Sequence, residues 1–294
     1  MMKTSLYFAL AVSLATLIIS PVQAGESNFG AIYTLDLQPK GTKELEQRMI
    51  WNTHQEGGRY ENFDLRTEVE YGLTDDLQVA GYINSNYINA KRNDRFGETA
   101  GSRIPESIDV SKAYSDFRYE SMSLEFIYRI TNPINDFIGV GLYIEPTWGY
   151  DNKALETRLI LHKYLMDDKL VVASNFVFEI ERDEVASNST PEKASHADFL
   201  LGASYRFAPK WSAGAEYRYH NDFSGSFYQE STQHAHFIGP NIHYATQQWW
   251  ATFAWRHQLK AGTCKNAGEL ECSSGYVNDD HGRDEIIVNV AYPF

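Results

Sequence analysis

From Lys43 to Phe294 the chain alternates apolar and polar positions with a period of two, in runs separated by clusters of turn-forming residues. Successive side chains of a strand point to opposite faces, so each run predicts a strand with one oily and one polar face. Leu45, Gln47, Met49 and Trp51 share the first oily face, Phe63 to Tyr71 the second and Leu77 to Ile83 the third. Met122 to Ile130, Ile138 to Ile144, Leu155 to Leu161, Leu170 to Phe178, Phe199 to Phe207 and Trp211 to Tyr219 follow. Ile238 to Tyr244, Trp249 to Trp255 and Ile286 to Phe294 bring the number of predicted strands to twelve. Pro240 sits within the tenth run, where its missing amide predicts a bulge or a register irregularity.

The last run is the most specific. In DEIIVNVAYPF, Ile286, Val288, Val290, Tyr292 and Phe294 fall on one face, and the chain ends on the aromatic. This resembles the final strand of bacterial outer-membrane β-barrels. LQPKGTKELEQ followed by EVEYGLTDDLQV is similar to a group of transporter-like proteobacterial barrels in which a Tyr-Gly-x-Thr-Asp turn recurs. The resemblance implies an all-β fold: a transmembrane, antiparallel, up-and-down β-barrel of about 12 strands in the outer membrane of a Gram-negative bacterium. It also implies that Tyr292 and Phe294 form the assembly signal read by the barrel assembly machinery. Alternation alone shows only half-buried strands, and a secreted all-β sandwich is the other reading.

Two further patterns fit the barrel. Tight connections at Gly72–Asp76, Thr131–Asp136, Met166–Asp168, Ala208–Lys210 and Thr246–Gln248 alternate with generally longer ones, as periplasmic turns alternate with extracellular loops. Tyr71, Tyr128, Tyr164, Tyr205, Phe207, Trp211, Tyr244 and Trp249 flank the tight turns, with Tyr292 and Phe294 at the same end, and predict an interfacial girdle.

Residues 1–24 read as a cleaved signal peptide: Lys3 supplies the charge, Leu6 to Ile19 the apolar stretch, and Val22-Gln23-Ala24 a small-residue cleavage site. Residues 25–42 are expected as a periplasmic lead-in, a short N-terminal strand or a strap inside the barrel, because Pro39 and Gly41 break any strand there. Residues 43–294 are the barrel. The mean hydropathy of −0.43 does not exclude a membrane protein, since every second barrel residue faces a lumen that tolerates polarity. A net charge of −13 argues against nucleic acid as a partner. Cys264 and Cys272, close together in one polar loop of an exported chain, are expected to form a disulfide.

The polar faces carry the candidate function. Inward assignment collects Glu46, Asp64, Glu68, Glu70, Glu125, Glu145, Glu156, Glu179, Asp198, Glu216 and Glu285 with Arg48, Arg66, Arg129, Arg158, Arg206, Arg218 and Arg256, and no lysine. Arginine's planar fork holds carboxylates bidentately and stays charged, as cross-barrel ion pairs require. Two outcomes are open: a narrow aqueous channel or transporter for small polar or cationic solutes, or a barrel filled by its own ion pairs that serves structural or surface-interaction roles. A lipid-modifying enzyme is the third candidate. Outer-membrane lipid hydrolases place a His two residues before a Ser, whereas His162, His196, His220, His243 and His257 are followed at that distance by Tyr, Asp, Asp, Ala and Leu. The chain is therefore expected not to be an enzyme. His234 and His236 share a face and, with His220 from across the hairpin, offer a metal at the rim; solvated strand ends explain them equally, and no metal or cofactor is expected. Lys91, Arg92 and Arg95 suit lipopolysaccharide phosphates, although loop solvation explains them equally, and outer-membrane lipids are the other expected partner.

Overall fold

The computed structural model describes residues 27–55, 58–91, 112–150, 152–183, 192–265, 272–278 and 281–294. The signal segment, Arg92, Arg95 and much of the 89–111 loop lie outside them. The strands are β1 (Lys43–Thr53), β2 (Arg59–Thr74), β3 (Leu77–Lys91), β4 (Ala113–Thr131), β5 (Gly139–Gly149), β6 (Asn152–Leu165), β7 (Leu170–Asp183) and β8 (Glu192–Ala208). Then come β9 (Trp211–Ser224), β10 (Glu230–Ala245), β11 (Trp250–Gln258), the two-residue β12 (Thr263–Cys264), β13 (Cys272–Ser273) and β14 (Tyr276–Val277), and the terminal β15 (Asp284–Pro293). Strands β1 to β11 pair in antiparallel order, β11 pairs with β15, and β15 closes the sheet on β1 through partners such as Leu45 with Tyr292 and Trp51 with Ile286. A closed twelve-stranded barrel has no edge to leave unpaired.

The two faces are inverted relative to a water-soluble protein. Leu124, Leu142 and Val290 keep 46%, 51% and 45% of their surface exposed, whereas Glu125, Tyr143 and Asn289 keep 0%, 2% and 1%. Apolar side chains therefore clothe the outside, and polar ones fill the inside. The two-residue turns after β2 and β8 mark the periplasmic end, and the 259–283 connection belongs to the extracellular end.

Pro240 disturbs the sheet less than expected. Its register with β9 is continuous through Ala215, and towards β11 the ladder lacks the pairs around Gly239 and Pro240 but resumes at Asn241 with Ala254 in the same register. The missing amide costs ladder bonds without adding a residue. Tyr164 is a second correction. It shares the inward parity of Arg158 and His162, and its hydroxyl donates to Asp36 Oδ2 at 2.7 Å, so it belongs to the interior and not to the girdle. Tyr128, Phe207, Trp211, Trp249, Tyr292 and Phe294 do face outwards at the turn end.

Two segments enter the lumen. Residues 27–42 form no strand beyond one isolated bridge, Lys40 with Gly72, and thread the interior from the periplasmic side. From the extracellular end, β12 pairs with β10 beside the Cys264–Cys272 disulfide, and Val277 of β14 packs against Ala235 and Phe237.

Candidate functional site

An irregular backbone buried inside a barrel must find partners for its own amides and carbonyls. In the strap of residues 27–42 the inner wall supplies them. Gly30 N donates to Glu216 Oε1 at 2.6 Å, while Arg48 Nη2 and Asn289 Nδ2 donate to Gly30 O at 2.6 and 3.0 Å. Tyr33 and Asn175 exchange two bonds, Tyr33 N to Oδ1 at 2.7 Å and Nδ2 to Tyr33 O at 2.9 Å. Leu35 N donates to His162 Nδ1, Arg129 Nη1 to Leu35 O, and Gln38 N to Gln78 Oε1. The strap's apolar side chains meet apolar wall: Phe29 and Ile32 sit among Val171, Ala173, Val177 and Leu200, and Leu35 and Leu37 among Ile127, Tyr143 and Ile160.

Glycines make room for this contact. A Cβ on Gly202 would lie 2.6 Å from Phe29 Cε1, and one on Gly141 would overlap Leu35 Cδ2. Gly141→Val is expected to lower stability by about 1–3 kcal/mol through overpacking. Gly81→Val, on the lipid face with its nearest atom at 3.6 Å, should have little effect. Urea midpoints of the two variants folded in detergent check the contrast.

The strap also organises the charges. Tyr33 donates to Glu125 Oε2 at 2.9 Å and accepts from Arg66 Nη1 at 3.1 Å, and the Arg158 guanidinium lies 4.5 Å from its ring centroid. Arg66 stacks on Tyr82 at 3.9 Å and approaches Glu68, Arg158 Nε donates to Glu156 Oε1 at 2.5 Å, and Tyr143 bonds Glu145. Gln38 Nε2 donates to Glu70, which stands close to Glu44 and Glu46. A cavity of about 40 Å³ lies beside Tyr33, Glu46, Arg48, Glu68 and Glu70, room for about three waters. Arg129 lies at the periplasmic rim with Asp76 at 2.9 Å, and Arg206 lies at the turn end of β8, where its amide donates to Lys169 O.

A second layer lies nearer the extracellular mouth. Arg218 bridges Asp198 Oδ2 at 2.7 Å and Glu285 Oε1 at 2.9 Å, and Arg256 pairs with Glu285 at 2.7 Å. His220 reaches Asp198 Oδ1 through Nδ1 at 2.5 Å and Asp222 Oδ1 through Nε2 at 2.8 Å. His196 contacts Asp222 through Nδ1 and Glu181 through Nε2. Gln233 Nε2 donates to Asp222 Oδ2 at 2.8 Å, and His281, from the loop before β15, brings Nε2 to 4.0 Å from the same oxygen. Burial holds the His281 imidazole below the usual histidine range.

Most of the inward residues named from the sequence thus divide into these two layers and the rim; Asp64 instead accepts from Asn52, Asn62 and Asn86, and Glu179 stands opposite Glu156 on the neighbouring strand. The lumen is not charged throughout, as the acidic and arginine residues alone suggest: Ile127, Ile160, Val171, Val177 and Leu200 stand at inward parity and form an apolar seat. The rim histidine trio is not assembled. His234 and His236 face outwards beside Tyr219, with His236 Nδ1 at 2.7 Å from the Tyr217 hydroxyl, whereas His220 points into the lumen.

Residues 21–294 match the model of a protein family described as "Family of unknown function (DUF6662)". No curated protein is similar to the chain in sequence. Among solved structures, the COG4313 outer membrane channel from Pseudomonas putida F1 aligns with a TM-score of 0.58 and 11% identity, over 92% of this chain and 100% of that chain. The β domain of the Bordetella autotransporter BrkA aligns with 0.51 and 9%, over 87% and 100%. The NanC porin gives 0.49 and 10%, over 85% and 98%. At such identities the likeness is one of fold, and the fold is that of a Gram-negative outer-membrane β-barrel.

Proposed function

We propose, for a chain that belongs to the family of unknown function DUF6662, that the barrel is a narrow outer-membrane channel for small polar or cationic solutes, constricted by its own N-terminal strap. Solved barrels of similar fold include both an outer membrane channel and an autotransporter domain, so the proposal rests on the lumen. One observation carries it. Glu68 Oε1, Glu125 Oε1 and Glu216 Oε2 are buried in the interior and find no donor among the described residues. Buried carboxylate oxygens require partners, and in a lumen these are water and cations. Around them the carboxylates of Glu46, Glu68, Glu70, Glu125, Glu145 and Glu156 face the guanidiniums of Arg48, Arg66 and Arg158, an acidic excess that favours cations.

The alternative is a sealed barrel with structural or surface roles, favoured by how little space the strap leaves in its own layer, a cavity of about 40 Å³. No catalytic residue is assigned. Export through the segment 1–24 and assembly through the outward Tyr292 and Phe294 belong to the same proposal.

Signal-free protein folded into a planar bilayer tests it. Small steady openings whose reversal potential in asymmetric KCl shows cation preference are expected, with a weaker preference in Glu68→Gln. Silence from protein shown to be folded, or anion preference, refutes the channel.

A further inference from the structure

We infer that His196, His220 and Asp222 form a binding site for a divalent transition-metal ion of the zinc class, inside the lumen near its extracellular mouth. The inference is independent of whether the barrel conducts. It begins with strand register. In the β8 and β9 pair His196 stands opposite Asp222 and Asp198 opposite His220. Residues two apart on a strand share a face, so the His-x-Asp sequences 196–198 and 220–222 place four side chains on the inner wall as a checkerboard of imidazole and carboxylate.

One ligand atom from each of His196, His220 and Asp222 lies within 4.8 Å of the others. Ligands held about 2.0–2.2 Å from a tetrahedral zinc ion stand roughly 3.3–3.5 Å apart, so small side-chain rotations close the set. The outer contacts decide which nitrogen is available. Asp198 stands 2.5 Å from Nδ1 of His220, and Glu181 stands against Nε2 of His196. The other nitrogen of each ring, His220 Nε2 and His196 Nδ1, is turned towards Asp222. With each outer nitrogen donating to its own carboxylate, the two inner nitrogens and the Asp222 oxygen are free to share one ion. A carboxylate behind each imidazole is also how metal-bound histidines are oriented and made more basic.

The remaining contacts fit. Arg218 fixes Asp198, Gln233 fixes Asp222, and His281 stands within reach of Asp222 as a candidate for the fourth position. Two imidazoles and one carboxylate suit zinc, copper or nickel over magnesium or calcium. The His196 side chain retains 24% exposure, which gives an ion a way in. The competing state is a cluster with no metal, in which each imidazole carries a second proton and the carboxylates are held by ion pairs alone.

Full-length mature protein in detergent, stripped with a chelator, is titrated with Co²⁺ as spectroscopic probe and with Zn²⁺ against a chromophoric chelator. One ion per chain is expected, with the visible absorption of a nitrogen- and oxygen-ligated Co²⁺ that Zn²⁺ abolishes and excess Mg²⁺ does not. His220→Asn and Asp222→Asn should lose this binding, and Glu181→Gln, outside the ligand set, should weaken it by roughly 10–100-fold. His234→Ala should leave it unchanged. Heat-modifiable migration identifies the folded barrel in every sample, and Glu181→Gln serves if a ligand variant fails to fold. No binding by folded wild-type protein, or equal affinity in Glu181→Gln and the wild type, overturns the site in favour of the ion-paired cluster; loss of binding in His234→Ala would place the metal at the outer rim instead.

Discussion

Deleting residues 27–38 is expected to raise the single-channel conductance of the proposed channel severalfold while costing little stability. The reason lies in how the strap is held. Phe29, Ile32, Leu35 and Leu37 are all buried, at about 2 kcal/mol each or ~8 kcal/mol together. Wall bonds to the backbone of Gly30, Tyr33, Leu35 and Gln38 add about 1 kcal/mol each, or roughly 8 kcal/mol for the set. Ordering the backbone of the deleted segment offsets most of this, at about 1.2 kcal/mol per residue or ~14 kcal/mol. The net is about 2 kcal/mol, small for a closed barrel whose sheet is intact without the strap. The steric effect is not small, because the segment crosses the lumen at the level of Tyr33, where Arg66, Arg158 and Glu125 converge. Bilayer recordings of the deletion beside the full mature chain, with urea midpoints of both, are the measurement. Unchanged conductance would mean that the strap does not limit passage.

Leu65→Arg and Arg66→Leu, neighbours on β2, should behave as opposites. Leu65 stands on the lipid face between Met49 and Ser85, and an arginine near the bilayer midplane there costs about 2–4 kcal/mol. Assembly should fall accordingly. Arg66 stands on the inner face with Tyr33, Glu68 and Tyr82. Its replacement by leucine leaves the lipid surface untouched, so the barrel should still insert, with a lower unfolding midpoint from the carboxylate left without its partner. The folded fraction on heat-modifiable gels after refolding into vesicles separates the two. Equal yields would mean that the inner and outer faces are exchanged.

The strands are legible because a barrel wall imposes one period, an apolar lipid face against a mostly polar inner face, and the described strands keep it apart from the apolar seat of the strap. The strap is legible only as one of several readings of residues 25–42, because nothing periodic marks a segment whose partners are scattered around the wall. Its trace is indirect: apolar residues at inward parity and the inward Gly141 and Gly202, which together form a seat without a visible occupant. Tyr164 is misread from its nearness to a turn, although its parity with Arg158 and His162 places it inside. The His-x-Asp pairs are visible as sequences, but their alignment depends on the register of β8 against β9, which includes a bulge between Arg206 and Ala208. A slip of one residue there would turn one pair to the lipid. His281 reaches the cluster from a loop that carries no periodic signal at all.

The strap precedes β1, yet its anchors are Arg48 on β1, Gln78 on β3, Arg129 on β4, His162 on β6, Asn175 on β7, Glu216 on β9, Thr252 on β11 and Asn289 on β15. No partial sheet gathers these groups around one axis. Only when the first strand meets the last do they face a common centre, so the seat of this segment is complete only in the closed barrel. A barrel joined in another register would present a different set of inward groups, and the segment would lose the partners named above.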